Sequence, residues 1–464
     1  MTLRGSLLSM FLLAAPLTAQ TVDTTAVNRL FARYATDSTP GCAIGIARGG
    51  DLLFAHGYGL ADLERNVPLT AGSVIEAGSV SKQFTAAAVL LLASRGLLSL
   101  DDNILHYFPE LPDFGTPITI RNLMQHTSGL RDWGAMAELE GWPRGTRTAT
   151  QGDVLTILSR QRRLNHAPGA AFSYTNSGYN LLVMLVERVT GQSFPAFTSR
   201  EFFVPLGMTH TQWRDDYARI VHDRAEAYSR DGSNWKLDMP FENAYGNGGL
   251  LTTVGDLLRW TQAIADHRIG NPDVSEAMQT PGTLTNGKPI AYGGGLFMTS
   301  FRGVREISHN GATAGYRSFL AQYPESRYRV AVLCNAGSAN PVALGHDAIG
   351  TLITFAPPPA PAATTPAPAP SHAVTPSHRA LQAITGTWIS DEAAARWLIT
   401  LRSDTLRVTR RPGDEFALRP TGTDQFAGAG TTIRVTRNKR GAVSQLFVTI
   451  SSAVDVAFRR AGMK

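Results

Sequence analysis

Apolar residues recur along this chain at two spacings, and the places where the spacing changes mark its elements. Short β-rich runs come first, at Cys42 to Arg48 (CAIGIAR) and Leu52 to Gly59. Helical spacing then takes over. Ser79 to Arg95 contains FTAAAVLLLA, apolar on nearly every side, and stops at Gly96, a residue suited to a helix C-terminus. Thr119 to His126 ends near Ser128-Gly129, and Ser177 to Thr190 ends at Gly191. Thr253 opens TTVGDLLRWTQAIADH with Asp256 at the third helical position, a capping-box pattern. Strand signals return at Tyr292 to Phe301, Glu306 to His309, Ser318 to Tyr323 and Tyr328 to Asn335, and a last helix runs from Pro341 to Thr354. Strands at both ends of a long helical middle predict one antiparallel sheet with helices against it, an α+β domain.

Beyond that domain the period drops to two. Trp397, Ile399 and Leu401 alternate, as do Leu406 and Val408, Ile433 and Val435, Leu446, Val448 and Ile450, and Val454, Val456 and Phe458. Roughly eight strands with no helix in so short a span predict a small closed all-β barrel. Its Gly386-Thr387-Trp388 start is lipocalin-like. Residues 356–377 (APPPAPAATTPAPAPSHAVTPS) hold eight prolines and predict a stiff, extended linker. At the other end, Arg4 precedes an apolar block from Leu7 to Leu17 and then Thr18-Ala19, the form of a secretory signal cleaved after Ala19. The expected units are residues 1–19 (signal peptide), 20–355 (main domain), 356–377 (linker) and 378–464 (barrel).

Composition changes this picture in three respects. With 43% hydrophobic and 17% charged residues the chain is globular, and no apolar run after the leader nears the ~20 residues of a membrane span. The net charge of +6 is uneven: residues 379–464 carry +7 and the remainder −1. Without an RNP, helix-turn-helix or zinc-finger pattern this excludes a nucleic-acid partner, and makes an anionic envelope polymer the candidate partner of the tail. The two cysteines, Cys42 and Cys334, each sit in a β-rich run. In a secreted or periplasmic protein they pair if those strands are neighbours; otherwise they are two buried thiols.

The chemistry-bearing residues lie in three places. Ser79-x-x-Lys82 puts a lysine one helical turn after a serine, at the head of an apolar helix. Burial there drives a lysine toward the neutral amine, a base for the serine hydroxyl. The serine N–H, at a helix start, is a free donor for an oxyanion. Tyr174-Thr175-Asn176 stands in a loop immediately before a helix. A tyrosine beside an ammonium can have a lowered pKa and shuttle a proton, and the asparagine amide can hold both the lysine and a substrate carbonyl. His309-Asn310-Gly311 lies in a strand, where the glycine allows close backbone approach and the Ala312 N–H can complete an oxyanion hole. His126 and His166 sit beside turn signals and read as structural, and Gly246, Gly248 and Gly249 as shaping a cleft-edge turn. The chain has no H-E-x-x-H, no Cys/His ligand spacing, no G-x-x-x-x-G-K and no G-x-S-x-G, so neither metal nor cofactor is expected.

The ordered trio Ser79-x-x-Lys82, Tyr174-x-Asn176 and His309-x-Gly311 resembles the penicillin-recognising serine hydrolases, in particular their class C β-lactamase and D-alanyl-D-alanine carboxypeptidase branch. The resemblance runs over about residues 25–355 and includes QHTSGLRDW and GNGGLLTTVGDL. It implies a β-lactamase/transpeptidase-like fold with a helical subdomain and an acyl-enzyme mechanism. Ser79 would be the nucleophile, Lys82 its base, Tyr174 a general acid/base, and Asn176 an anchor for substrate and lysine. His309 would stand on the opposite wall, beside Gly311, and the Ser79 and Ala312 N–H groups would form the oxyanion hole. Class C β-lactamases carry a charged lysine where this chain has His309, which favours a D-amino-acid peptidase or esterase over an efficient β-lactamase. The implied substrates are D-amino-acid peptides, small esters and, less well, β-lactams. Two alternatives stay open, a class C-type β-lactamase and a non-catalytic envelope-binding protein.

Overall fold

The computed structural model of the chain describes residues 22–142, 145, 147–353 and 376–462. The expected signal peptide, and all but the last two residues of the expected linker, lie outside the described residues. Six strands build the main sheet: β1 (Cys42–Arg48), β2 (Asp51–Tyr58), β3 (Phe297–Phe301), β4 (Val304–Thr313), β5 (Tyr316–Tyr323) and β6 (Tyr328–Cys334). They are antiparallel in the order β3-β4-β5-β6-β1-β2. The principal helices are α1 (Thr24–Leu30), α2 (Lys82–Ser94), α3 (Trp133–Glu140), α4 (Ser177–Thr190), α5 (Val254–Ala265) and α6 (Pro341–Gly350).

Alternation along the central strands divides their side chains between two cores. Ile44, Ile46, Val330 and Val332 join Val27 of α1 and Leu344 and Ile349 of α6 on one face. Ala43, Ala47, Ala331 and Leu333 face the larger core, with Val254, Leu257 and Leu258 of α5. This two-sided burial is why β6 is apolar without a break from Val330 to Cys334. The β1–β2 hairpin lies beside β6, so Cys42 stands opposite Cys334 in register. The two are joined by a disulfide that spans 292 residues of chain.

The antiparallel sheet flanked by helices is the architecture expected from the pattern, with local differences. The helix expected from Ser79 begins with a 3-10 turn, Gly78–Ser81, before α2. β4 continues to Thr313, well past His309, because β5 pairs with it over its whole second half. At α5 only half of a capping box forms. The Thr253 hydroxyl accepts the Asp256 N–H, but the Asp256 carboxylate turns to the His210 N–H and the Thr211 hydroxyl.

The tail forms a closed eight-stranded barrel: β7 (Gly386–Ser390), β8 (Ala395–Arg402), β9 (Thr405–Arg411), β10 (Asp414–Gly422), β11 (Gln425–Gly428), β12 (Thr431–Arg437), β13 (Val443–Ile450) and β14 (Ala453–Arg460). Closure leaves no free strand edge. Trp388, Trp397, Ile399, Val408, Leu446, Val448 and Phe458 are buried in it, with alternate residues outside. A short helix, His378–Gln382, precedes it, where the pattern predicted none. Val454, expected inside with Val456 and Phe458, is exposed at the exit of the last hairpin. The barrel's apolar residues are continuous with the helical core of the main domain, and the Trp397 indole donates to the Leu139 carbonyl of α3. No helix among the described residues is long and apolar enough to cross a membrane.

Candidate active site

Two glycines bring β4 and the turn before α2 together backbone to backbone. Gly78 has φ +51°, and a Cβ there would sit 2.7 Å from the Ala312 nitrogen. A Cβ on Gly311 would sit 2.1 Å from the Ala77 carbonyl oxygen and 2.8 Å from the Ser79 nitrogen. No side chain fits in either place. In a 3-10 turn residues three apart eclipse, so Lys82 lies directly over Ser79, with Nζ 3.2 Å from Oγ. From Ser73 to Leu92 every residue is buried except Ser79, whose hydroxyl thereby faces the cleft.

Lys82 is fully buried and touches three acceptors: Ser79 Oγ, Asn176 Oδ1 at 2.9 Å and the Asn247 carbonyl at 2.7 Å. Burial lowers its pKa to about 7, against a smaller opposing pull from Asp132. The geometry suits a base. A neutral amine keeps two N–H groups for Asn176 and Asn247, which leaves its lone pair toward Ser79 Oγ. The Asn247 carbonyl is aimed by a strap pinned to the segment that carries Ser79. Thr85 donates to the Gly246 carbonyl, the Leu250 N–H donates to Ser81 Oγ, and the Gly249 N–H donates to the buried Glu76 carboxylate. Asn180 donates to Asn247 Oδ1.

Tyr174 places its ring 4.9 Å from Lys82 Nζ and lies tilted against the His126 ring, with 4.2 Å between centroids. Its acidity departs from the sequence expectation. Burial raises the phenol pKa well above the ordinary value, and the nearby Ser79 hydroxyl offsets this only in part. The lysine that was to lower it is itself driven toward neutrality by the same desolvation, so the resting tyrosine is a proton donor. The loop is held by Asp132, whose Oδ2 accepts the Asn176 N–H at 2.7 Å and the Thr175 hydroxyl at 3.3 Å. His126 Nδ1 accepts the Thr175 N–H. That ring is thus structural but sits directly beneath the loop, whereas His166 reaches only the neighbouring Ala167 carbonyl.

His309 is 2% exposed. Its Nδ1 faces the Asn310 carbonyl at 2.6 Å and must donate, so Nε2 accepts from the Tyr292 hydroxyl at 3.2 Å. Burial and the Lys82 charge lower its pKa to about 3, which keeps the ring neutral. Ala312, beyond the part of β4 that pairs with β3, is exposed, and its backbone adjoins Gly78.

The structure therefore gathers Ser79, Tyr174 and Asn176 around the Lys82 amine, sets the Gly311 and Ala312 backbone against the Gly78–Ser79 turn, and packs His309 behind the tyrosine at a ring distance of 6.2 Å. Sequence reasoning missed Asn247, Asp132 and Asn180. Two of these lie in stretches that stood out, GNGG and GLRDW, where a polar residue flanked by turn signals was the available clue. Among the described residues no cluster of His, Cys, Asp or Glu is placed to hold a metal ion.

A family model described as Beta-lactamase matches residues 27–353. Penicillin-binding protein 4* of Bacillus subtilis (strain 168) is 28% identical over 304 residues, covering 62% of this chain and 66% of that protein. A D-aminopeptidase of Gluconobacter oxydans (strain 621H) is 30% identical over 325 residues, covering 68% of this chain and 59% of the relative. The chain thus spans about three-fifths to two-thirds of the length of the curated relatives it matches. Among solved structures, the octameric penicillin-binding protein homologue from Pyrococcus abyssi aligns with TM-score 0.63 and 22% identity over 94% of this chain and 100% of that one. The D-amino acid amidase from Ochrobactrum anthropi SV3 complexed with L-phenylalanine amide aligns with TM-score 0.60 and 21% identity, over 71% and 97%. These two likenesses establish the fold.

Proposed function

The chain belongs to the beta-lactamase family of serine hydrolases, and from that premise we propose that it is a D-amino-acid peptidase or esterase acting through an acyl-enzyme on Ser79. The observation that carries this reading is the buried Lys82, near neutrality and with its lone pair free toward Ser79 Oγ.

The steps follow from the positions. Lys82 Nζ takes the Ser79 proton as Oγ attacks the substrate carbonyl, and the Ser79 and Ala312 N–H groups bind the resulting oxyanion. Tyr174 gives its proton to the departing amine or alkoxide as the C–N or C–O bond breaks, and recovers one from the Lys82 ammonium. Water then attacks the acyl ester, loses its proton to the same pair, and frees Ser79. Protons balance over the cycle.

The substrate class rests on two supports. The D-aminopeptidase and D-amino acid amidase names belong to relatives and structural neighbours. A neutral His309 offers no fixed positive charge to a β-lactam carboxylate, which disfavours the β-lactamase alternative. The leader sequence and the cystine fit an exported enzyme. Docking on an anionic envelope polymer draws only on the tail's charge, and several of its arginines are engaged with carboxylates, among them Arg410 with Asp414 and Arg437 with Asp424.

Labelling with a fluorescent fluorophosphonate, followed by mass spectrometry of the adduct, should place the label on Ser79. A label on another residue, or an active preparation with no adduct, would overturn the mechanism.

A further inference from the structure

The hairpin joining β13 and β14 turns in two residues, Ser451 and Ser452, with Ile450 paired to Ala453 and Ser451 at φ +46°. This tip is the part of the barrel that reaches the catalytic loop. Ser452 Oγ donates to the Tyr174 carbonyl at 2.7 Å. Its own carbonyl accepts the Asp132 N–H at 3.2 Å and the Asn165 amide at 2.8 Å. The Val454 N–H donates back to Asn165 Oδ1. Beside the tip, Arg131, only 1% exposed, pairs with Glu392 of the barrel and donates to the Val454 carbonyl.

These contacts converge on the proton donor. Asp132, held at its N–H by Ser452, is the residue whose carboxylate holds the Asn176 N–H and the Thr175 hydroxyl. Arg131, held by Glu392, presents the carbonyl that accepts from Ser177 Oγ at the start of α4. The barrel thus holds Tyr174 in two ways, directly through its carbonyl and indirectly through Asp132 and the two residues that follow. The nucleophile turn, by contrast, is packed against β4 of the main domain.

We infer that the C-terminal barrel is a working part of the active site, with Ser452 a positioning residue that aims Tyr174 at the leaving group. The inference rests on the proposed acyl-enzyme reading. A carbonyl held at 2.7 Å fixes the tyrosine backbone, and a displacement of an ångström at a proton donor lowers rate steeply. The effect falls unequally on substrates. An amine leaving group must receive a proton in order to depart, while p-nitrophenolate leaves as the anion.

The test uses the full chain and two probes, the p-nitroanilide and the p-nitrophenyl ester of D-alanine. Ser452→Ala should lower kcat/KM, which reports acylation, by about 10-fold for the anilide, with kcat/KM for the ester nearly unchanged. Ser452→Thr, which keeps the hydroxyl, should restore the ratio. Tyr174→Phe should shift the ratio further, and adding Ser452→Ala to it should cost nothing more, since the two act through one group. An unchanged anilide-to-ester ratio in Ser452→Ala, in a protein where Tyr174→Phe does shift it, overturns the inference. A Tyr174→Phe protein with an unshifted ratio also overturns it by removing the proton-donor role, while a Ser79 adduct would still uphold the acyl-enzyme.

Discussion

Ser79 and Tyr174 lie against the same lysine, yet the chain holds them in different ways. The serine belongs to the core. Its neighbours from Ser73 to Leu92 are all buried, and its backbone abuts Gly311 with no room for a methyl group. The tyrosine belongs to a loop whose main chain is held by hydrogen bonds from Asp132, His126 and Ser452. Close-packed backbone tolerates no displacement, whereas a loop on hydrogen bonds can shift when one of them is lost. The proposed nucleophile and base are therefore insulated from the barrel, and the proposed proton donor is exposed to it.

The contrast can be broken first at the core side. Gly311→Ala would drive a Cβ into the Ala77 carbonyl and the Ser79 nitrogen, and should lower kcat/KM by ~10²–10³ for ester and anilide alike, the scale of a lost oxyanion donor. A loss confined to the anilide would show that this strand does not shape the oxyanion site. Next comes the base. Lys82→Ala should slow acylation by at least ~10², again for both substrates. In the unaltered protein the neutral amine is the active form, so acylation should rise with pH through about 7 and fall tenfold per unit below it. His309, already neutral, contributes no inflection above about 3. Stopped-flow acylation rates across pH 5–9 check the sign, and a rate that falls as pH rises through 7 would rule out Lys82 as the base.

The smallest effect on activity is expected at the cystine, which ties the far side of the sheet. Thiol titration under denaturing conditions should find no free thiol. Replacing Cys42 and Cys334 together by serine should lower stability by roughly 2–4 kcal/mol, since the crosslink closes a very long loop, and should leave the anilide-to-ester ratio untouched. Two free thiols in the native protein would remove the bridge from the account.

The elements that were legible in the chain are those set by near neighbours. Ser177–Thr190 with Gly191 at its end, the alternation of the barrel strands, and the three-residue spacing of Ser79 and Lys82 all follow from periods of two to four residues. Where a local signal met a competing long-range partner, it gave way. Asp256 had the position to close a capping box, and the structure spends its carboxylate on His210 and Thr211 instead. The 3-10 turn at Gly78 packs backbone to backbone against β4 from the far end of the domain, a contact that no helix propensity encodes.

By itself, then, the sequence determined the short motifs that carry the candidate chemistry and which segments alternate or spiral, because those properties depend on side chains within a turn of one another. Only the tertiary structure decided how the chemistry is tuned. Lys82 is brought near neutrality by burial on all sides, Tyr174 is kept protonated by the same desolvation, and its carbonyl meets a serine 278 residues further along the chain. Desolvation and hydrogen-bond partners are properties of what surrounds a group in space, and here those surroundings come from both ends of the chain.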